Sequence, residues 1–194
     1  GKDSNITAEV TPAHLTFCED DYSRLGTKIK CNPAIKGKDE RDALRRAVAD
    51  GKIDVIGTDH APHLPEDKKG GALKAASGMP SIQFSLLAML RLVDEGVLTM
   101  EKLVQMTSHA PADIFAVNKR GYIRKGYHAD FVLLNPDKPH TITAADIISK
   151  CGWSPFEDDT FKWSVEQTWA NGECVYKNGA INETVRGKAL TFNR

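Results

Sequence analysis

Seven consecutive residues, Gly57-Thr58-Asp59-His60-Ala61-Pro62-His63, carry one carboxylate and two imidazoles. They follow the apolar run Ile53-Asp54-Val55-Ile56, which reads as a short buried strand. Ligands and catalytic groups gather at the carboxyl ends of parallel strands in α/β folds. Asp and His are also the ligands that hydrolytic divalent metals take. The chemistry suggested is metal-assisted hydrolysis. Asp59 can hold a metal through one carboxylate oxygen and take a proton from bound water with the other. His63, fixed after Pro62, can donate a hydrogen bond to an anionic group of a substrate. His60 reads as a strand-end hydrogen bond or a support for a ligand.

Other residues offer complementary chemistry. Asn32, before Pro33, has an amide able to donate to and accept from a ring amide. Ser77-Gly78 offers backbone N–H groups, and the glycine permits close approach. Each has a plainer reading as well: Asn32 as a turn former, His63 as a surface histidine, Ser77-Gly78 as a loop tip. Glu9 and His14 flank another strand end and read as structural polar positions. His109, His128 and His140 are given no chemistry. There is no H-x-H and no H-E-x-x-H, so Asp59 and its histidines are part of a site.

The elements that must carry these residues follow from periodicity. Ile6–Val10 reads as a strand and Ile29-Lys30-Cys31 as an extended piece. A helix spans Asp39 to Asp50, with Ala43, Leu44, Ala47 and Val48 on one stripe and Gly51 as its stop. A long loop runs from about Pro62 to Pro80. Residues 81–95 form a helix with Ile82, Leu86, Leu87, Leu90 and Val93 on its apolar side. Thr99 caps a helix from Met100 to Thr107, and Pro111 opens a turn over Ala112–Ala116. Beyond Lys119 the segments Tyr122–Arg124, Ala129–Leu134, Trp163–Trp169 and Glu173–Tyr176 read as β, with a hairpin turn at Asn171-Gly172. Residues 1–118 therefore look α/β and 119–194 mostly β. A complete (β/α)8 barrel takes about 250 residues, and only two parallel-type strands stand out here. The alternatives are a small α/β layer or the C-terminal part of a larger fold.

Bulk properties narrow the partners. The chain has 194 residues, 41% hydrophobic and 27% charged, with zero formal net charge. No basic excess points to nucleic acid, and no apolar run is long enough to cross a membrane. Cys18, Cys31, Cys151 and Cys174 form no C-x-x-C pair and suggest reduced thiols in a cytoplasmic protein. A homo-oligomer is compatible with this composition.

Taken in order, the motifs resemble dihydroorotases of the amidohydrolase superfamily. Gly57–His63 is similar to their last barrel-strand motif, and Glu9-Val10-Thr11-Pro12-Ala13-His14-Leu15 to their E-V-x-P-H-H-L segment. Asn32-Pro33-Ala34-Ile35-Lys36 resembles N-P-P-L-R, and Ser108-His109-Ala110-Pro111-Ala112 the start of the helix leaving the barrel. Gly121-Tyr122-Ile123 to Gly126 with Ala129-Asp130-Phe131-Val132-Leu133 resembles the return to a small β domain. Trp153-Ser154-Pro155-Phe156-Glu157 resembles W-S-P-F-E-G. Ala13, the Ala34-Ile35-Lys36 run and Asp158 depart from these patterns.

The resemblance implies the C-terminal portion of a TIM-type (β/α)8 metallo-dependent hydrolase barrel (residues 1–118) plus a small β-rich composite-sandwich domain (119–194). It implies a binuclear Zn2+ site with Asp59 as ligand and general base, most other ligands preceding residue 1. Asn32, His63, Ser77 and Gly78 would hold the substrate. The implied reaction interconverts dihydroorotate and N-carbamoyl-aspartate in pyrimidine biosynthesis, with the 194-residue piece inactive by itself. A hydantoinase or allantoinase activity, or a non-catalytic scaffold, are the alternative readings.

Overall fold

The computed structural model describes residues 6–193. Two parallel strands, β1 (Glu9–Val10) and β2 (Val55–Ile56), pair in the register Glu9↔Val55 and Val10↔Ile56. Both are shorter than the sequence predicts. β1 ends where Thr11-Pro12 starts helix α1 (Pro12–Thr16), whose first turn is capped by the Thr11 hydroxyl accepting from the His14 amide at 3.3 Å. The Gly57 amide still donates to the Val10 carbonyl at 3.1 Å, and Asp59, at φ +46°, then turns the chain away from β1.

Helix α2 (Tyr22–Leu25) leads into a 3-10 turn over Gly26–Ile29. The extended piece predicted at 29–31 is therefore partly helical. The Lys30 carbonyl accepts the Gly78 amide at 2.8 Å, so this backbone pairs with a distant loop and joins no strand. Helix α3 (Lys38–Ala49) matches its predicted span within a residue. Asp39 and Glu40 open it, Arg46 lies in its last turn, and Gly51 at φ +73° ends it. Val48 is buried and Leu44 packs against the core, whereas Ala43 is exposed.

The segment 62–80 is not a plain loop. It holds a 3-10 turn, Pro65–Lys68, and helix α4 (Gly71–Lys74). A 3-10 turn over Ile82–Phe84 then opens helix α5 (Ser85–Asp94). Its buried face is Ser85, Ala88, Met89, Leu90 and Leu92; Leu86, Leu87 and Val93 are partly buried, and Ile82 is 60% exposed. The predicted stripe is thus rotated, because α1, the helix that follows and a later strand all pack around α5. Helix α6 (Met100–Val104) is capped by Thr99, whose hydroxyl accepts from the Lys102 amide at 3.1 Å. It continues through a π-helical turn, Gln105–His109, into α7 (Ala110–Ile114).

The remaining elements are strands. β3 (Phe131–Asn135), β6 (Ser164–Ala170), β7 (Glu173–Lys177) and β8 (Ala180–Ile181) form an antiparallel sheet in the order β3-β6-β7-β8. Asn171 and Gly172, at φ +55° and +83°, make the tight turn between β6 and β7. β4 (His140–Thr141) pairs with β5 (Thr160–Phe161). Tyr122–Arg124 forms no strand. Tyr122 stacks on His109 at 4.2 Å between ring centres and donates to the Asp113 carboxylate at 2.6 Å. The Arg124 guanidinium covers the other side of that ring at 4.0 Å. These contacts hold the segment against α7.

One core unites the early and late parts. Leu15, Phe17, Ile29, Val48, Met89 and Leu103 share it with Ile142, Trp153, Phe156 and Phe161. Phe17 stacks on Phe156 with ring centres 5.4 Å apart. All four cysteines are free thiols. Among the described residues, no helix is long and apolar enough to cross a membrane.

Candidate active site

The carboxyl ends of β1 and β2 lie side by side, so whatever follows them converges. A Cβ on Gly57 would overlap the Glu9 carboxylate, so glycine is what lets that side chain lie across the strand end. Asp59 is exposed and left-handed. Such a backbone costs a non-glycine residue roughly 1–2 kcal/mol, and strain of this kind collects at functional sites. The buried Cys31 thiol has its pKa raised by burial first and by the Asp59 charge second. That places the Asp59 carboxylate within electrostatic reach of the Asn32 segment.

The histidines divide by partner. His60 Nδ1 accepts from the Ser81 and Ile82 amides at 3.1 and 3.2 Å. It therefore caps the turn that opens α5, which is the strand-end hydrogen bond predicted for it. His63 Nε2 donates to the Ser77 carbonyl at 3.0 Å, because a carbonyl only accepts. The indole of Trp153 donates to the His63 carbonyl at 2.8 Å. His14 binds the Thr11 hydroxyl through Nδ1 at 2.7 Å and the Pro33 carbonyl through Nε2 at 2.8 Å. It ties the two strand-end loops together, as its structural reading expects.

Asn32, His63, Ser77 and Gly78 come together in space. The Asn32 amide donates to the Ser77 hydroxyl at 3.1 Å. Gly78, at φ +116°, leaves no room for a Cβ beside Ala61, and such an atom would also stand 3.6 Å from His63 Nε2. Glycine is required here by conformation and by contact.

Two residues unmarked as site residues by the sequence prove central. Lys68, 5% exposed, donates through Nζ to the carbonyls of Lys30, Ala76 and Gly78 at 3.2, 2.7 and 2.6 Å. Burial, with Lys30 nearby, pushes its pKa down to about 8. In the sequence it lies in the charged run Glu66-Asp67-Lys68-Lys69, where a lysine reads as solvated. Trp153 stands out only through its motif, and its ring lies 5.9 Å from the Lys68 ammonium.

The donor set does not by itself make a metal centre. Among the described residues, no three His, Cys, Asp or Glu side chains are grouped to hold an ion. Asp59 would contribute one ligand, and a catalytic zinc takes about three from the protein.

Comparison with known proteins identifies the family. Residues 6–175 match the Amidohydrolase family. The dihydroorotase of Halobacterium salinarum is 40% identical over 151 residues, 78% of this chain and 36% of that protein. The dihydroorotase of Methanosarcina mazei is 36% identical over 195 residues, covering 97% of this chain and 42% of its own length. The solved L-hydantoinase (dihydropyrimidinase) from Arthrobacter aurescens superposes with a TM-score of 0.87 at 29% identity, over 91% of this chain and 40% of that one. A D-hydantoinase superposes at 0.83 with 22% identity, a likeness of fold. The chain spans about two-fifths of the length of these relatives. With the match running from the first strand through the β6–β7 hairpin, this chain belongs to the Amidohydrolase family.

Proposed function

We propose that the protein carrying this chain is a cyclic amide hydrolase of the dihydroorotase type. It would interconvert dihydroorotate and N-carbamoyl-aspartate, with a cytoplasmic place in pyrimidine biosynthesis. The observation that carries this reading is the clustering of Asn32, His63 and Ser77 in the loops that follow β1 and β2, with Asp59 three residues past the end of β2. The dihydroorotase relatives support it. In this reading Asp59 is the general base: it takes a proton from the attacking water as the new C–O bond forms. It then gives that proton to the amide nitrogen as the ring C–N bond breaks. Asn32 pairs with the ring amide, and the backbone at Ser77-Gly78 supplies donors. The Nε2–H of His63 is spent on Ser77, so a substrate carboxylate is met by Nδ1, which donates only in the imidazolium form.

Residues 1–118 would be the last βα units of a barrel and 119–194 a small β domain. Zinc is part of the proposal for the whole protein, with Asp59 as the ligand proposed from this chain; among the described residues no three donors are grouped to hold an ion.

The hydantoinase reading is favoured by the structural neighbours. A hydantoin need not carry the carboxylate that His63 would bind. In the full-length protein, His63→Ala should cost about 10- to 100-fold in kcat/KM on dihydroorotate, the scale of a hydrogen bond to a charged group. It should cost little on an uncharged hydantoin. Equal losses on both substrates would overturn the assignment, and an inactive wild type would favour a scaffold.

A further inference from the structure

We propose that Lys68 is a positioning residue for substrate binding: its buried ammonium fastens the loop bearing His63, Ser77 and Gly78 to the segment bearing Asn32. The inference rests on the proposed substrate-holding roles of those four residues and adds the group that sets their spacing. An ammonium has three protons, and all three are used here on backbone carbonyls. Two of the acceptors, Ala76 and Gly78, bracket Ser77 on either side. The third, Lys30, lies two residues before Asn32 and also accepts the Gly78 amide at 2.8 Å. A single atom thus fixes both sides of the Asn32–Ser77 hydrogen bond. Trp153, beside the ammonium, holds the His63 carbonyl and extends the same clamp.

The chemistry argues against a role in bulk stability. Burying an amine away from a counter-ion costs free energy, and apolar replacements of buried charge often leave a fold as stable as before. Among the described residues no carboxylate is paired with Lys68. Its removal instead leaves the Ala76 and Gly78 carbonyls without that donor, while the Lys30 carbonyl keeps the Gly78 amide, and the cost falls on the loop around Ser77.

The test is steady-state kinetics on the full-length protein with dihydroorotate. Lys68→Met should raise KM about tenfold or more and leave kcat within about threefold, the pattern of lost uniform binding. In Lys68→Ala, added ethylamine should restore KM, whereas tetramethylammonium, which has no N–H donor, should not. Amide hydrogen exchange at Ala76 and Gly78 should quicken in Lys68→Met while α3 keeps its protection. An unchanged KM, a loss confined to kcat, or rescue by both cations would overturn the proposal. So would loss of protection in α3 together with the loop, or failure of both variants to fold, since Lys68 would then be a residue of the fold. If the wild type turns over neither dihydroorotate nor a hydantoin, the proposed function falls. The exchange experiment still decides whether Lys68 anchors the loop.

Discussion

The strand-end loops and the β3-β6-β7-β8 sheet are held by opposite means. In the sheet, neighbouring antiparallel strands satisfy one another's backbone groups, and side chains are only partly buried or exposed. Around the segment 57–80, side chains satisfy the backbone, two of them from the segment itself and one from Trp153. Lys68 serves three carbonyls, His60 serves two amides and Trp153 serves the His63 carbonyl. A ladder tolerates change at most side chains because the backbone carries it. A loop held by a few side chains concentrates its geometry in those few. Substitutions in the loops should therefore be read in catalysis, and those in the sheet in stability.

The sharpest separation is expected at Asp59. Asp59→Asn keeps the shape and tolerates the left-handed backbone, so the unfolding midpoint should scarcely move. In the full-length enzyme kcat should fall by about a thousandfold, the scale of a lost general base. A variant that retains turnover would end the assignment of Asp59 as the base. In the sheet, Gly172→Ala at φ +83° should cost about 1–2 kcal/mol in denaturant unfolding. KM and kcat should stay unchanged, and a shift in KM would show that the hairpin is coupled to the site.

The smallest effect concerns pH. Lys68 has a folded pKa of about 8 against an ordinary 10.5, so between those values the unfolded chain binds more protons. Stability therefore rises with pH across that window. The penalty of burying the charge is full below about pH 8 and is relieved as pH climbs toward 10.5. The unfolding free energy of wild type minus that of Lys68→Met should shift toward wild type between pH 7.5 and 10 (about the window the two pKa values set). A difference that stays flat would mean that the ammonium is not desolvated.

The same contrast explains what the sequence makes legible. α3 is readable because its apolar spacing, acidic start and glycine stop all agree. The β6–β7 hairpin is readable because Asn-Gly demands its turn. The parallel pairing of β1 and β2 follows from two apolar runs separated by a helix. Asp59 is visible as a carboxylate just past the end of β2, and Asn32, His63, Ser77 and Gly78 as polar or permissive residue types in loops, which the structure brings together. Lys68 is not visible, because its burial arises from contacts with residues 30, 76, 78 and 153, and no local pattern encodes them. The rotated face of α5 and the missing strand at Tyr122–Arg124 have the same origin in packing by distant elements.

The return of residues 140–161 into the shared core has a consequence for recombination. Ile142, Trp153, Phe156 and Phe161 fill space between the early helices, and Trp153 reaches the backbone of His63. A chimera joined after residue 118 would exchange a β region and also remove the wall behind the loop that bears His63. Inheritance of the two parts as one unit is written into that single tryptophan hydrogen bond and the aromatic stack beside it.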